Sequence, residues 1–384
     1  MTFTIHQGDN RDTLKTLDDC SIDAVVTDPP YGIDFLGKSW DANTGALETY
    51  RECLRVLKPG GYILAFSAAR TYHHLAVTLE RAGFEIRDQI MWLYSSGFPK
   101  AQDIGKAIDR RETKQQSLMV VNKNNTYAVG VDTKCPNCNK SGGSVTRNGC
   151  KTPNCPVLER LKPADNEWAG WKTALKPAHE PICMARKPFK GSTIDCVLEN
   201  GVGALNIDAT RIEYQDLKDM EGAGLNWNKT GYETGGPRFV GSGDEHTEVE
   251  KPKEKKNNIN EQGRYPSNVI GEVEGYQKFF YCPKVSRKER HIGYDTTDNG
   301  NNHPTVKPVE LMHYLVKLVT PPNSVVLDPF CGSGSTGMAA VELGHEFIGC
   351  ELDDDYVRIA ETRILAWNNP TYDNLFTSLF KQAL

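Results

Sequence analysis

Short apolar runs and helix-spaced apolar positions alternate along the first hundred residues. "FTIHQG" (3–8) and "DAVVTD" (23–28) are rich in β-branched residues and flanked by polar ones, which predicts buried strands. Leu47, Tyr50, Leu54 and Leu57 recur at helical spacing in "TGALETYRECLRVLKPGG", and Pro59, Gly60 and Gly61 should end that helix. "YILAFS" (62–67) then reads as a strand, "TYHHLAVTLERAG" (71–83) as a helix and "FEIRDQIMWLYSS" (84–96) as a strand. Such alternation predicts a parallel sheet covered by helices on both faces.

The pattern breaks up after Gly97. Residues 99–170 are polar and basic, "KPAHEPICMARKPF" (176–189) reads as one more strand returning to the core, and residues 200–275 are rich in Gly and Asn. Within the last, "VEKPKEKKNNINEQGR" (249–264) has the composition of a mobile linker. Order resumes near "KFFYCPKVSR" (278–287) and continues with a helix "PVELMHYLVKLV", a strand "SVVLDPF", a glycine turn opening the helix "STGMAAVELG", a strand "EFIGCEL" and a helix "DDDYVRIAETRILAW". Each end of the chain thus supplies half of a nucleotide-binding α/β fold. The expected organisation is a core of 1–98, 171–199 and 276–384, a basic insertion of 99–170 and a variable region of 200–275.

Composition sharpens this picture. At 384 residues the chain exceeds the usual single domain, and 38% hydrophobic residues suffice for a packed core. No apolar run reaches a membrane span and "MTFTIHQGDN" lacks a signal-peptide layout, so a cytoplasmic protein with reduced thiols is expected. The net charge of −5 argues against uniform coating of nucleic acid. Residues 98–163, however, hold twelve Lys and Arg against five Asp and Glu, which suits either selective docking on a polyanion or a solvated basic loop.

Two motifs carry chemistry. "LDPFCGSGSTG" (327–337) follows a strand and opens a helix, so Gly332 and Gly334 let backbone approach a ligand while the helix start offers unpaired N–H groups. No Lys precedes the Ser/Thr as a phosphate loop requires, and the glycine spacing is not the dinucleotide one. Glu351 ends the next strand, where an acid grips ribose hydroxyls in nucleotide-binding folds. A ligand with a ribose but no pyrophosphate is indicated, and S-adenosylmethionine fits. The second motif, "TDPPYG" (27–32), also sits at a strand end and should face the same crevice. An exocyclic amine of a base has its lone pair delocalised into the ring. A carboxylate and a fixed carbonyl that accept its two hydrogens localise that pair, and an aromatic face holds the ring. Asp28, the Pro29 carbonyl and Tyr31 provide those groups, with Pro30 stiffening the turn; the base must first be flipped out of the duplex.

Together "TDPPYG" and "LDPFCGSGSTG" resemble the DNA amino-methyltransferases that act on adenine N6 or cytosine N4. The order of catalytic motif, variable region, "NNHPTVKP" (301–308) and glycine motif is similar to the family's beta arrangement, a phage or prokaryotic type. The likeness covers residues 1–95 and about 276–368. It implies a Rossmann-like, S-adenosylmethionine-dependent methyltransferase fold with circularly permuted motif order. It further implies that Asp28, Asp328, Phe330, Cys331, Gly332, Ser333, Gly334 and Thr336 line the cofactor site, that Glu351 binds its ribose, and that Asp9 lies beside its adenine. Thr305 and Lys307 would contact its methionine end. Cys331 stands where Ala or Gly is more usual, a matter of packing. Asp28 rather than Ser at the head of the catalytic motif favours adenine over cytosine. Double-stranded DNA, a homodimer and a link to a restriction system or phage are also implied.

Cys135, Cys138, Cys150 and Cys155 form a C-x2-C-x11-C-x4-C array, the spacing of a tetrahedral Zn²⁺ site; unrelated free thiols are the alternative. A zinc knuckle here would rigidify the basic insertion against DNA, or act as a structural clip away from it. Residues 200–275 are the candidate target-recognition region, with "GRYPSNV" (263–269) anchoring it. Trp168, Trp171 and Trp227 could stack on bases or simply pack, and Lys38 and Trp40 could touch DNA or belong to a solvated loop. Two other classes compete. A protein glutamine methyltransferase would carry its glycine motif before the catalytic one, and a non-catalytic zinc-containing DNA-binding regulator would not need Asp28, Tyr31 and Glu351.

Overall fold

A computed structural model of the chain describes residues 2–33, 44–94, 101–112, 166–214, 220, 262–271, 284–294 and 300–369. The chain forms two compact units, one of Met1–Ser95 with His179–Leu384 and one of Ser96–Ala178. The four cysteines of the expected zinc knuckle, together with Lys38, Trp40 and Trp227, lie outside the described residues. Among the described residues no group of three or more His, Cys, Asp or Glu could hold a metal ion, and no helix is long and apolar enough to cross a membrane.

The larger unit is built on an eight-stranded sheet: β1 (Phe3–Gln7), β2 (Ile22–Thr27), β3 (Leu57–Phe66), β4 (Glu85–Leu93), β5 (His179–Arg186), β6 (Val269–Gly271), β7 (Val325–Asp328) and β8 (Glu346–Glu351). Its spatial order is β1-β8-β7-β2-β3-β5-β4-β6. Among the described residues the α-helices are α1 (Asn10–Thr13), α2 (Leu47–Val56), α3 (Tyr72–Ala82), α4 (Ile104–Glu112), α5 (Thr193–Asn200), α6 (Arg287–Arg290), α7 (Val309–Val319), α8 (Ser335–Glu342) and α9 (Asp354–Trp367), of which α4 belongs to the smaller unit.

The strands are covered on both faces, which is why they read as continuous apolar runs. Ala24 and Val26 pack with Leu311, Leu315, Met338 and Ile364 on one side, while Val25 packs with Tyr50, Cys53, Leu75 and Leu79 on the other. Each fully buried Val, Leu, Ile or Met side chain among them contributes about 1.5–3 kcal/mol.

Two expectations are corrected. The helix containing Leu54 stops at Val56, and Leu57 already belongs to β3. Lys58 precedes a proline and is driven to extended backbone, and the Pro-Gly-Gly run continues as strand, with Gly60 N–H and Gly61 C=O bonded to Lys187 at 3.0 and 2.9 Å. The sheet is also not wholly parallel. β5 runs antiparallel to both β3 and β4, whereas the other pairings are parallel. A parallel strand needs a long crossover back to the other end of the sheet; β5 instead starts beside the end of β4, with His179 opposite Leu93, and so runs back antiparallel.

In the smaller unit, α4 is tied back by Asn166, whose Nδ2 donates to Gly105 O at 3.0 Å and Asp109 Oδ1 at 2.5 Å. Trp168 and Trp171 meet edge to face at 5.5 Å between ring centroids and are 41% and 61% exposed.

Candidate active site

The order of strands reverses between β7 and β2: the chain after β7 moves outward through β8, and the chain after β2 moves outward through β3. Such a switch point leaves a crevice beyond the carboxyl ends of the two strands. The glycine turn leaves β7 there and "DPPYG" leaves β2.

The two ends are joined directly. Asp328 is 2% exposed; its Oδ1 accepts from the Thr27 hydroxyl at 2.7 Å and the Phe330 N–H at 3.0 Å, and its Oδ2 accepts from the Thr336 hydroxyl at 2.7 Å. Burial raises its pKa to about 6 despite these donors. The turn that follows depends on glycine at Gly334, which caps α8 with φ +78°; a Cβ there would lie 3.0 Å from the backbone Cα of Ala360. Arg363, fully buried in α9, grips the turn from below. Its Nη1 donates to the Ser333 carbonyl and, at 3.1 Å, to the Ser333 hydroxyl, and its Nη2 reaches Glu289 O at 3.5 Å. Cys331 is buried, and burial pushes its thiol well up, so it acts as an apolar filler.

Glu351 ends β8 beside this turn. One carboxylate oxygen accepts the Gly332 N–H at 2.8 Å and the other the Asp353 N–H at 2.9 Å. Each oxygen retains acceptor capacity, which is what a pair of ribose hydroxyls requires. The Gly8 N–H bonds the Glu351 carbonyl at 2.8 Å, and a Cβ built at Gly8 would meet nothing within 4 Å, so space opens at the end of β1. Asp9 follows, half-buried and paired with Arg11 at 2.5 Å.

At the other motif, Pro29 is buried while Asp28, Pro30 and Tyr31 are half-buried. The Tyr31 hydroxyl lies 2.7 Å from Asp28 Oδ1 and 3.1 Å from Glu180 Oε2. The ammonium of Lys307 donates to Asp28 Oδ2, lies 3.5 Å from Glu180 Oε2, and sits over the rings of Tyr31 and Phe66 at 5.5 and 5.0 Å. Burial opposes the Lys307 charge, but Asp28 and Glu180 more than reverse that and keep it protonated. Asp28 is raised by burial, partly offset by Lys307, and raised further by Glu180. The segment carrying Lys307 is bound to the glycine turn through Ser335 Oγ, which donates to Lys307 O at 2.8 Å; Thr305 on the same segment is half-buried.

The resemblance assigns Lys307 to the methionine end of a cofactor; in the structure its ammonium pairs with Asp28. Glu180 and Arg363 were not anticipated. Glu180 reaches this edge only because β5 is antiparallel: its second residue lies opposite Trp92, near the end of β4. Nothing local marks either residue, although a buried cation in a predicted helix, as Arg363 is, signals that a partner must exist.

A family model described as "DNA methylase" (N6_N4_Mtase) matches residues 22–362. The chain is 24% identical to the type II methyltransferase M.HindIII of Haemophilus influenzae over 420 residues, covering 97% of this chain and 99% of that one. It is 39% identical over 67 residues to the DNA adenine methyltransferase YhdJ of Escherichia coli, covering 17% of this chain and 23% of the relative. Among solved structures, the PvuII DNA methyltransferase (cytosine-N4-specific) is similar with a TM-score of 0.47 at 13% identity, covering 100% of this chain and 92% of that one.

Proposed function

The chain belongs to the N6/N4 family of DNA methylases, and we propose that it transfers a methyl group from S-adenosylmethionine to adenine N6 of double-stranded DNA. The observation that carries the reading is a half-buried carboxylate, Asp28, at the end of β2, held beside the glycine turn by the Thr27–Asp328 bond. An amine that must become nucleophilic needs such an acceptor at a fixed position, next to the site of its electrophile.

S-adenosylmethionine, when bound, supplies an electrophilic methyl on a sulfonium. Glu351 suits its ribose by its remaining acceptor capacity, and the turn from Phe330 to Gly334, with Thr336 and Asp328 bracing it, suits the close approach of a ligand to backbone. Asp9 at the end of β1 and Thr305 on the segment before α7 complete the proposed enclosure.

Asp28 and the Pro29 carbonyl accept the two hydrogens of the target amino group and localise its lone pair. The Tyr31 ring holds the flipped base, offsetting part of its unstacking cost. Adenine is favoured by Asp at position 28, with cytosine N4 as the alternative. Cys135, Cys138, Cys150 and Cys155 are proposed to hold one Zn²⁺, on their spacing alone.

Purified protein is incubated with labelled S-adenosylmethionine and unmodified genomic DNA, followed by nucleoside mass spectrometry. N6-methyladenine is the expected product. N4-methylcytosine would establish the alternative, and no methylated nucleoside would overturn both. Metal analysis of the reduced protein tests the zinc proposal, with about one zinc per chain expected.

A further inference from the structure

In the described site both oxygens of Asp28 already have donors: the Tyr31 hydroxyl on Oδ1 and the Lys307 ammonium on Oδ2. A charged donor on a carboxylate lowers its capacity to accept from a weakly polar amine. Each oxygen keeps a further lone pair for an amino hydrogen, but Asp28 accepts that hydrogen more strongly once the charged donor has turned to another acceptor.

Glu180 is that acceptor by position. Its Oε2 is 3.1 Å from the same Tyr31 hydroxyl and 3.5 Å from the same Lys307 Nζ, while its Oε1 lies 3.3 Å from the Tyr94 hydroxyl. The two carboxylates therefore share two donors, and a small rotation of either donor exchanges one for the other. Among the described residues, Asp28 faces Lys307, Tyr31 and Glu180, with Asp328 behind it, and Glu180 faces Lys307, Tyr31 and Tyr94. Lys284, whose ammonium packs 3.9 Å over the Tyr94 ring, is the second cation on the Glu180 side.

We propose that Glu180 is a positioning residue for methyl transfer: it takes over the Lys307 ammonium and the Tyr31 hydroxyl as the target amine docks, so that Asp28 meets the amine as an open carboxylate. The inference rests on the reading of Asp28 given above. In the step it serves, the amine nitrogen forms its bond to the methyl carbon while the carbon–sulfur bond breaks with its electron pair left on sulfur, and one N–H proton passes to Asp28. With one ammonium between two carboxylates, a negative charge is left over before the transfer, and Glu180 remains to balance Lys307 when that proton arrives. Position 180 lies in a strand that pairs with β3 and β4 through backbone, so Glu180→Gln preserves the sheet register.

The test compares wild type, Glu180→Gln and Glu180→Asp on a DNA duplex carrying the mapped methylation site. It measures kcat against pH, KM for DNA, S-adenosylmethionine affinity by calorimetry, and Tm. Glu180→Gln is expected to lower kcat by about tenfold or more, within the range of a lost acid–base partner, with cofactor affinity and Tm nearly unchanged. Its acid limb should move to lower pH, because the charge that raises Asp28 is gone. Glu180→Asp should recover part of the rate. Wild-type kcat and an unmoved acid limb in Glu180→Gln would overturn the proposal, as would equal losses in both variants together with a lowered Tm. In either case wild-type methylation and the inactivity of Asp28→Ala would leave the reading of the site standing; absence of methylation by the wild type would overturn that reading itself.

Discussion

The Thr27 hydroxyl donates to Asp328 Oδ1 at 2.7 Å across 301 residues of sequence, inside a core from which both residues are almost fully hidden. This bond couples the last residue of β2 to the last residue of β7, and therefore the turn proposed to hold the target base to the turn proposed to hold the methyl donor. Thr27→Val keeps the shape and removes the donor. A hydrogen bond to a charged group contributes about 1.5–3 kcal/mol, so unfolding in urea should show a loss of that size, and Thr27→Ser should recover most of it. S-adenosylmethionine affinity by calorimetry should fall in parallel for Thr27→Val.

Asp28→Asn replaces an acceptor by a group that also donates, and leaves Lys307 with Glu180 as its remaining carboxylate. The expected outcome is a fall in kcat of about 10²–10⁴, the usual size of a lost acid–base contribution, with S-adenosylmethionine still bound. Single-turnover methylation together with calorimetry checks both halves.

Asp328 carries a pH signature. Its folded pKa of about 6 stands above the ordinary 3.8, so the folded state holds its proton more tightly than the unfolded chain. Stability from this residue is fully present below 3.8 and is lost as pH rises through about 6. Wild type should therefore gain on Asp328→Asn as pH is lowered from 7.5 to 5, by roughly 1.4 kcal/mol at 1.36 kcal/mol per pH unit. Urea denaturation of the two proteins across that range measures it, and a difference that stays flat would count against a raised Asp328.

Arg363 is fully buried and binds the Ser333 carbonyl, the Ser333 hydroxyl and Glu289 O through one planar fork. Lysine has no such fork. Arg363→Lys should lower Tm, with a stability loss of about 3 kcal/mol for a broken buried polar network, and should weaken S-adenosylmethionine binding because the glycine turn loses its support from below.

Much of the framework is legible without coordinates because its causes are local. β-branched runs make β2 and β7, helical spacing makes α2 and α7, and Gly334 with φ +78° is where the turn into α8 needs a residue without Cβ. α2 ends at Val56 rather than at Pro59 because Leu57 and Lys58, the latter stiffened by Pro59, join a strand whose partners lie elsewhere in the chain.

What the amino-acid order determined by itself is the set of chemical groups at the ends of strands: Asp28 with Tyr31, the glycine turn, and Glu351. Their types follow from neighbours a few residues away. Only the tertiary structure decided how those groups are wired. The antiparallel entry of β5 brings Glu180 to the edge where β2 ends, and that encounter gives the Lys307 ammonium two carboxylates instead of one. A buried charge must be neutralised by whatever the fold brings near it, and residues 28, 180 and 307 are too far apart in sequence for any local pattern to record the pairing.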